Sequence, residues 1–251
     1  MRKQVVLQHV MVCFGIACFL QWIFFELFTL GKLGSNAECY AIAQTFVVLI
    51  VAPYLGAISH RTQLNSDSYL LTNLSVRNQL LKQLLISQIP ILIWIFLSST
   101  FSFFYTTSSL IQLLQTFIVL GVYSLVTGTL GICSARIFRD SIFGTECTYV
   151  ILSILIGSPF LLMPLDRYFQ SIQEFIQPTL HFNPIIAICH IYDGIDIFRT
   201  PLLYELTPIT SYDFSYPEWY LIGFWFILLG CCSFVLTWLI SKKNRVRQFN
   251  Y

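Results

Sequence analysis

Histidines are the side chains best suited to chemistry here, and one of the four has acidic residues close behind it. Asp193 and Asp196 follow His190, and imidazole and carboxylate groups so close in sequence can bind a metal ion or a substrate. A solvated acidic loop explains the same three residues without any ligand. The sequence predicts no catalytic constellation from the other histidines, His9, His60 and His181.

Motifs of nucleotide hydrolysis and of hydrolases are missing from the sequence. Without a GxxxxGK[ST] phosphate loop, we expect the chain not to hydrolyse ATP itself. The GxSxG and HExxH patterns, paired carboxylates within apolar stretches and the Cys or His spacings of a zinc site are missing too. We therefore predict a protein that is not an enzyme and binds no metal or cofactor of its own.

The composition points to lipid as the surrounding solvent. Hydrophobic residues make up 56% of the 251 residues, charged residues make up 10%, and the mean hydropathy is +0.72. A soluble domain carries roughly 25% charged residues, so this chain cannot cover a water-exposed surface with polar groups. Its net charge of +2 is too small to indicate nucleic-acid binding.

Six apolar stretches are long enough to cross a bilayer as helices, which takes roughly 20 residues each. They lack barrel-type alternation, and in lipid only helices then satisfy the backbone groups. The first stretch is too long for a cleavable signal peptide, and no cleavage site follows it. We predict an all-α polytopic membrane protein, one domain over 1–251, with spans at about 5–30, 39–58, 84–104, 110–133, 143–165 and 220–240.

The basic residues predict the orientation. Eleven of the fourteen Lys and Arg residues fall on the side of the two termini, and only Lys32, Arg167 and Arg199 fall on the other side. Basic residues are enriched on the cytoplasmic side of membrane proteins. We therefore predict that both termini and the segment 59–83 are cytoplasmic and that the segment 166–219 is external.

The external segment is acidic and contains two apolar stretches, 169–176 and 184–191, that are too short to span. We expect interfacial or re-entrant helices there, broken by prolines. Cys39, at the external start of the second span, and Cys189 lie on the predicted external side, and a disulfide or two separate thiols fit that placement. The prolines in question are Pro178, Pro184, Pro201 and Pro208.

Two acidic residues lie near the ends of spans, where an ionisable group is costly and therefore informative. Glu26 lies near the external end of the first span, with Gln21 about one turn before it. Glu26 either snorkels to the outer interface or, with Gln21, faces a pathway or subunit interface. Glu146 can form an interfacial pair with Arg136 or Arg139.

The cytoplasmic segment carries two apolar clusters separated by a turn. The first consists of Tyr69, Leu70 and Leu71, and the second of Leu80, Leu81, Leu84 and Leu85. Ser75 in the turn can cap the helix that carries the second cluster. We predict a helix, a break and an amphipathic helix that continues into the third span. Such clusters lie in the headgroup region or dock into the groove of a partner.

This segment resembles the cytoplasmic element between spans two and three of ABC-2 type transporter permeases. In that family a Gly-Thr-x-(Glu/Asp)-x-Leu-Leu stretch precedes a Thr-Pro-Leu-Ser-like turn and a basic amphipathic helix. Residues 69–75, Tyr-Leu-Leu-Thr-Asn-Leu-Ser, are similar to the first part, and Arg77 with Gln-Leu-Leu-Lys at 79–82 to the second. The sequence departs where Asn65-Ser66 replaces Gly-Thr and Asn73 replaces the proline.

Further features agree with the same family along nearly the whole chain. A fourth span with Gly121, Gly128 and Gly131, which indicate close helix packing, is followed by a short basic loop at 136–140. An Asn-Pro pair, Asn183-Pro184, lies where the family has an external helical hairpin. A basic tail at 242–245 closes the resemblance.

The resemblance implies the membrane subunit of a bacterial ABC exporter in the inner membrane. A second copy or a homologous permease would pair with it, surrounded by membrane lipids, through spans one and five. The small residues Gly15, Ala17, Ser153, Gly157 and Ser158 would allow close approach there. Two ABC ATPase subunits, which hold ATP and Mg²⁺, would contact Tyr69, Leu70, Leu71, Thr72, Leu74, Ser75, Arg77, Lys82, Arg136 and Arg139.

Two other functions remain open at this point. One is a haem-exporter-like permease of cytochrome c maturation, which shares the topology but favours an exposed Trp-rich or His-ligating external site. The external segment of this chain has no Trp cluster. The other is a membrane scaffold that anchors a partner complex without transport.

Overall fold

A computed structural model of the protein describes residues 2–64, 75–166, 168, 172–192, 207–212 and 214–249. These residues form eight α-helices and one short 3₁₀ helix, and they contain no β-strand. In chain order the elements are α1 (Arg2–Leu30), α2 (Asn36–Leu64), α3 (Val76–Tyr105), α4 (Leu110–Phe138), α5 (Ser141–Asp166), α6 (Gln173–His181), α7 (Pro184–Ile191), the 3₁₀ helix (Pro208–Ser211) and α8 (Trp219–Phe249).

Six of the described helices are long and apolar enough to cross a membrane. The prediction of an all-α polytopic membrane protein with six transmembrane helices is therefore confirmed. The candidate spans are Met11–Leu30, Asn36–Ser59, Val76–Tyr105, Leu110–Phe138, Ser141–Asp166 and Trp219–Lys242.

The helices are longer than the predicted spans on the side of the chain termini. α2 continues past residue 58 to Leu64, and α3 begins at Val76 rather than at 84. Both ends of the predicted segment 59–83 are therefore helical. Arg and Gln, which occur at both ends, have helix propensities close to that of Leu, so the helices can continue beyond the apolar stretches. Ser75 caps α3 as predicted, because its hydroxyl accepts a hydrogen bond from the backbone N–H of Asn78 at 3.4 Å.

α2 and α4 form the centre of the bundle. In each of these two helices 72% of the residues in the apolar, membrane-spanning stretch are buried, compared with 11% in α1 and 22% in α5 and α8. Their backbones touch: a Cβ at Gly56 would lie 2.2 Å from the carbonyl oxygen of Gly128, and one at Gly131 would lie 2.2 Å from that of Pro53. Small residues permit such approach in lipid. Gly121, also predicted to pack closely, has open space beside it.

Buried amide side chains tie α3 to both central helices. Gln88 donates from Nε2 to the carbonyl oxygen of Ala52 at 3.2 Å, and its Oε1 accepts from the hydroxyl of Ser124 at 3.1 Å. Nearer the other end, Gln44 donates from Nε2 to Oγ of Ser98 at 2.9 Å. Hydrogen bonds between helices each contribute roughly 0.6 kcal/mol in a membrane, so these contacts set the register of α3 as well as its stability.

Candidate functional site

α6 and α7 form a helical hairpin that enters the bundle from the end opposite the chain termini. At its tip, Asn183 donates from Nδ2 to the carbonyl oxygen of Ile156 at 2.9 Å. Ile156 lies about ten residues before the end of α5, roughly 15 Å along the helix. The neighbouring Phe182 ring lies 5.4 Å from that of Trp225 in α8. Of the two predicted arrangements, interfacial and re-entrant, the structure has the re-entrant one.

The hairpin differs in detail from its prediction. The stretch 184–191 coincides with α7, whereas the stretch 169–176 was placed too early, because α6 spans Gln173–His181. Pro178 lies inside α6 and does not break it. Pro184 occupies the first position of α7, where a missing N–H is harmless, and Pro208 opens the 3₁₀ helix. The predicted break at Pro201 lies outside the described residues.

Hydrogen bonds fix the start of α7 deep in the bundle. Asn183 caps the helix through Oδ1, which accepts from the backbone N–H of Ile185 at 3.0 Å. The hydroxyl of Tyr123, near the middle of α4, donates to the carbonyl oxygen of Pro184 at 3.0 Å. Every α7 side chain except His190 is buried, against α2, α4 and α8 among others. α7 therefore fills the space between three spans at this end.

A buried carboxyl group lies beside α7 that the sequence analysis did not single out. Glu38, in the first turn of α2, is only 1% exposed, and its carboxylate accepts a hydrogen bond from the thiol of Cys189. Its Oε1 has no hydrogen-bond partner among the described residues. The sequence signal for this residue is an acidic side chain directly before a long apolar run.

The surroundings of Glu38 are polar. Thr116 of α4 donates to the hydroxyl of Tyr192, which follows α7, at 3.4 Å. Burial raises the pKa of Tyr192, so the phenol stays protonated well beyond neutral pH. Cys39 and Cys189 are both thiols, so the structure has no disulfide between them. The carboxyl, thiol and hydroxyl groups at this end of the bundle can exchange hydrogen bonds and protons. No group of three metal-ligating side chains occurs in the described part of the chain.

His190 lies beside a carboxylate that was not part of its proposed site. Its Nε2 lies 3.7 Å from Oε2 of Glu218, directly before α8. Asp193 and Asp196 lie outside the described residues, so the proposed metal or substrate site that they form with His190 stays a prediction. A second contact holds this region, because Tyr212 donates to Oδ1 of Asp166 at 2.7 Å. That hydrogen bond raises the pKa of Tyr212.

Gln21 and Glu26 line the same cavity, and their assignment to a pathway or subunit interface stays a prediction. The cavity has a volume of about 360 Å³ and lies between α1 and α3, with Tyr40 of α2 behind it. Gln21 is buried and donates from Nε2 to the carbonyl oxygen of Tyr40 at 3.1 Å, whereas Glu26 is exposed. We call this space the lateral cavity. It is also lined by Cys18, Trp22, Phe25, Trp94, Ser98, Phe101 and Tyr105.

At the end of the bundle where the chain termini lie, Arg136 points into the bundle. Its guanidinium donates from Nη2 to Oε1 of Gln83 in α3 at 2.9 Å and from Nη1 to Oγ of Ser241 in α8. Gln83 in turn donates to Oγ of Ser59 in α2 at 3.0 Å. Arg136 thus joins four helices, whereas Arg139, in a left-handed conformation with φ 57°, is exposed. Arg139 is exposed and open to direct contact with a partner, whereas Arg136 is half-buried, and its predicted contact with an ATPase subunit stays a prediction.

The structure describes only some of the residues that were predicted to contact the ATPase subunits. Ser75, Arg77 and Lys82 lie at the start of α3 and are exposed. The structure brings them to the same end of the bundle as Arg136 and Arg139. The remaining predicted contacts lie outside the described residues: Tyr69, Leu70, Leu71, Thr72 and Leu74.

The residues expected at a dimer contact differ in their exposure. Gly15 of α1 is exposed and has open space beside its Cα, and the same space exists at Gly157 of α5. Ser153 is also exposed, and Ser158 is half-buried. Ala17 is only 1% exposed and packs within this chain, so its expected role in a contact with a second chain is wrong.

Comparisons with protein-family models, with curated proteins and with solved structures find no match to this chain. The family resemblance in the sequence therefore stays a prediction. The membrane-spanning fold rests on the structure itself, and a function has to be inferred from the hairpin, the two ends of the bundle and the lateral cavity.

Proposed function

We propose that this protein is the membrane-spanning permease subunit of an ATP-driven exporter of the ABC-2 type. It would lie in the bacterial cytoplasmic membrane with both termini inside. Two permease chains, identical or homologous, would form the pathway above two separate ATPase subunits that hold ATP and Mg²⁺. The observation that carries the proposal is the re-entrant α6–α7 hairpin, which occurs where the resemblance implies an Asn-Pro hairpin.

The hairpin suits a transporter because it occupies space that a substrate would cross. Its tip is bonded to α4 and α5, and its rings pack on α8, so it closes the bundle at the predicted external end. A scaffold has no need for an apolar wedge between its spans. Movement of this wedge relative to α4 would open a path toward the outside.

α4 provides a mechanical link from the ATPase end to the hairpin. Arg136 holds one end of this helix to α3 and α8, and Tyr123, about 20 Å away along the helix, holds the hairpin. The predicted ATPase contacts at Arg77 and Lys82 lie on α3, which carries Gln83, the partner of Arg136. Displacement of α3 by the ATPases would therefore reach Tyr123 through the rigid helix α4.

A Walker-type ATPase encoded next to its gene would support the proposal, and co-expression with that ATPase tests it. We expect a complex of two permeases and two ATPases in native mass spectrometry, with ATP hydrolysis by the complex. The double variant Leu70→Asp/Leu71→Asp should insert normally and lose the ATPase. The matched control Asn78→Asp, at an exposed position of α3, should retain it.

The outcomes separate the candidate functions. Normal binding of the ATPase by the Leu70→Asp/Leu71→Asp variant would place that segment in the headgroup region instead. A folded chain that binds no ABC ATPase would contradict the exporter and leave the scaffold. A haem absorption band on the purified chain would favour the haem-exporter-like permease.

A further inference from the structure

The lateral cavity carries a set of aromatic rings that form a closed circuit. Phe25 lies 5.6 Å from Tyr40, Tyr40 lies 6.3 Å from Phe101, Phe101 lies 5.5 Å from Tyr105, and Tyr105 lies 6.4 Å from Phe25, between ring centroids. The four rings come from α1, α2 and α3. Packing of three helices therefore builds this wall of the cavity, and no single helix face could provide it.

Hydrogen bonds hold the back of the cavity in place. The hydroxyl of Tyr40 lies 2.9 Å from Oγ of Ser98, and Gln21 donates to the carbonyl oxygen of Tyr40. Gln44 donates to the same Oγ of Ser98 at 2.9 Å. These four side chains are less than 9% exposed, so their orientations are fixed before any ligand arrives. A preformed site lowers the entropy lost on binding.

The front of the cavity opens to the outside of the helix bundle. Trp22, Phe101 and Tyr105 are each more than half exposed although they line the cavity. A ligand that is dissolved in the bilayer can therefore enter between α1 and α3 without crossing the bundle. The volume of about 360 Å³ falls within the range of roughly 300 to 1,000 Å³ that is typical of small-molecule sites.

The charge of the cavity comes from Glu26. No Lys or Arg is among the described residues that line the cavity, and no cation of the described chain pairs with Glu26. Glu26 lies about one turn before the end of α1 and is exposed, so its carboxylate can stay charged at the mouth of the cavity. Aromatic faces next to a carboxylate form the environment that binds organic ammonium ions, because ring and carboxylate both attract the cation.

We infer that the lateral cavity binds an amphiphile that carries an ammonium group and no phosphate. The ammonium group lies between Glu26 and the aromatic circuit, and the hydrocarbon chain extends over the exposed side chain of Trp22. A lipid phosphate would face Glu26 without a basic residue to pair with. The inference rests on the lining of the cavity and does not depend on the exporter proposed above.

Binding of tritiated dodecyltrimethylammonium to the purified chain in dodecyl maltoside tests this inference by scintillation proximity. We expect saturable binding that Glu26→Gln weakens about tenfold or more, as expected for loss of an ion pair reinforced by aromatic faces. Tyr105→Leu should weaken it several-fold. The matched controls are Glu146→Gln and Tyr220→Leu, which remove an exposed carboxylate and an exposed ring outside the cavity.

Competing ligands define the chemistry. An uncharged analogue, with carbon in place of the ammonium nitrogen, and dodecylphosphocholine should both displace the cation poorly. Glu26→Lys should reverse the preference toward dodecyl sulfate, and an unchanged elution volume in size exclusion verifies that the variant is folded. Equal affinity of wild type and Glu26→Gln would overturn the inference, and so would displacement by dodecylphosphocholine as effective as by the cation. Neither result bears on assembly with an ATPase.

Discussion

The hydroxyl of Tyr123, completely buried near the middle of α4, donates a hydrogen bond to the carbonyl oxygen of Pro184, the first residue of α7. The same ring lies 4.6 Å from that of Phe226 in α8. One side chain therefore connects the re-entrant hairpin, a central span and the last span. Its two contacts can be separated, because phenylalanine keeps the ring and loses only the hydroxyl.

Tyr123→Phe should lower the free energy of unfolding by about 1–2 kcal/mol, because the buried carbonyl oxygen of Pro184 loses its donor. Equilibrium unfolding in mixed micelles, monitored by tryptophan fluorescence, measures the change. Tyr54→Phe is the matched control, since Tyr54 is 43% exposed, and it should change stability by less than about 0.5 kcal/mol. Equal effects of the two variants would contradict the structural role of the Tyr123 hydroxyl.

Asn183→Ala should destabilise the hairpin by about 2 kcal/mol, because it removes both the cap of α7 and the hydrogen bond to Ile156. Hydrogen exchange read by mass spectrometry should show faster exchange over α6 and α7 and little change in α3. Asn78→Ala, at an exposed position, serves as the control. Equal exchange rates over α6 and α7 in wild type and Asn183→Ala would show that the Asn183 side chain does not hold the tip of the hairpin.

Arg136→Met should cost about 2–3 kcal/mol of stability, because Gln83 and Ser241 lose a charged donor. Arg139→Met, three residues later and exposed, should be nearly neutral. A double-mutant cycle with Gln83→Leu measures the coupling between Arg136 and Gln83 directly. A coupling energy near zero would mean that Arg136 contacts solvent or a partner instead of α3.

Labelling from outside intact cells tests the predicted orientation. In a background without the eight native cysteines, a membrane-impermeant maleimide should label Glu174→Cys and leave Asn78→Cys unlabelled until the cells are opened. Both positions are exposed in the structure, so burial does not protect either of them. The reverse pattern would place the termini outside and would remove the basis for an ATPase on that side.

Cysteine crosslinking tests the predicted dimer in the same cysteine-free background. Gly15→Cys and Gly157→Cys should form crosslinks between chains, because open space adjoins both positions. Ala17→Cys should not react, since Ala17 is buried within its own chain. If Gly15→Cys and Gly157→Cys crosslink only within one chain, or if a monomer keeps transport activity, the dimer is excluded.

Hydropathy made the six spans predictable, because lipid demands long apolar helices and little else in the sequence competes with that signal. The cap at Ser75 and the start of α7 at Pro184 were predictable too, since both follow from local backbone chemistry. The helix ends that lie outside the apolar stretches were harder to predict. Helix propensity extended α2 to Leu64 beyond its apolar part.

The partners of polar side chains could not be predicted, because they depend on which helices become neighbours. Gln21 and Glu26 were singled out from one helix, whereas the aromatic circuit beside them requires α2 and α3. Arg136 looked like a loop residue available to a partner, and tertiary packing turned it inward. Glu38 was missed for the same reason, because the hairpin that covers it is distant in sequence.

The glycine contact between α2 and α4 also has a consequence for biogenesis. Helices enter the membrane one after another during synthesis, and α3 is made between the two that touch at Gly56 and Gly128. The contact between α2 and α4 therefore forms only after α3 and α4 have been made. Of the two partners of Gln88, the carbonyl oxygen of Ala52 is made before α3, whereas Ser124 comes only with α4. The order of synthesis thus makes α4 the helix whose arrival joins α2 and α3, and α7 and α8 complete the core afterwards.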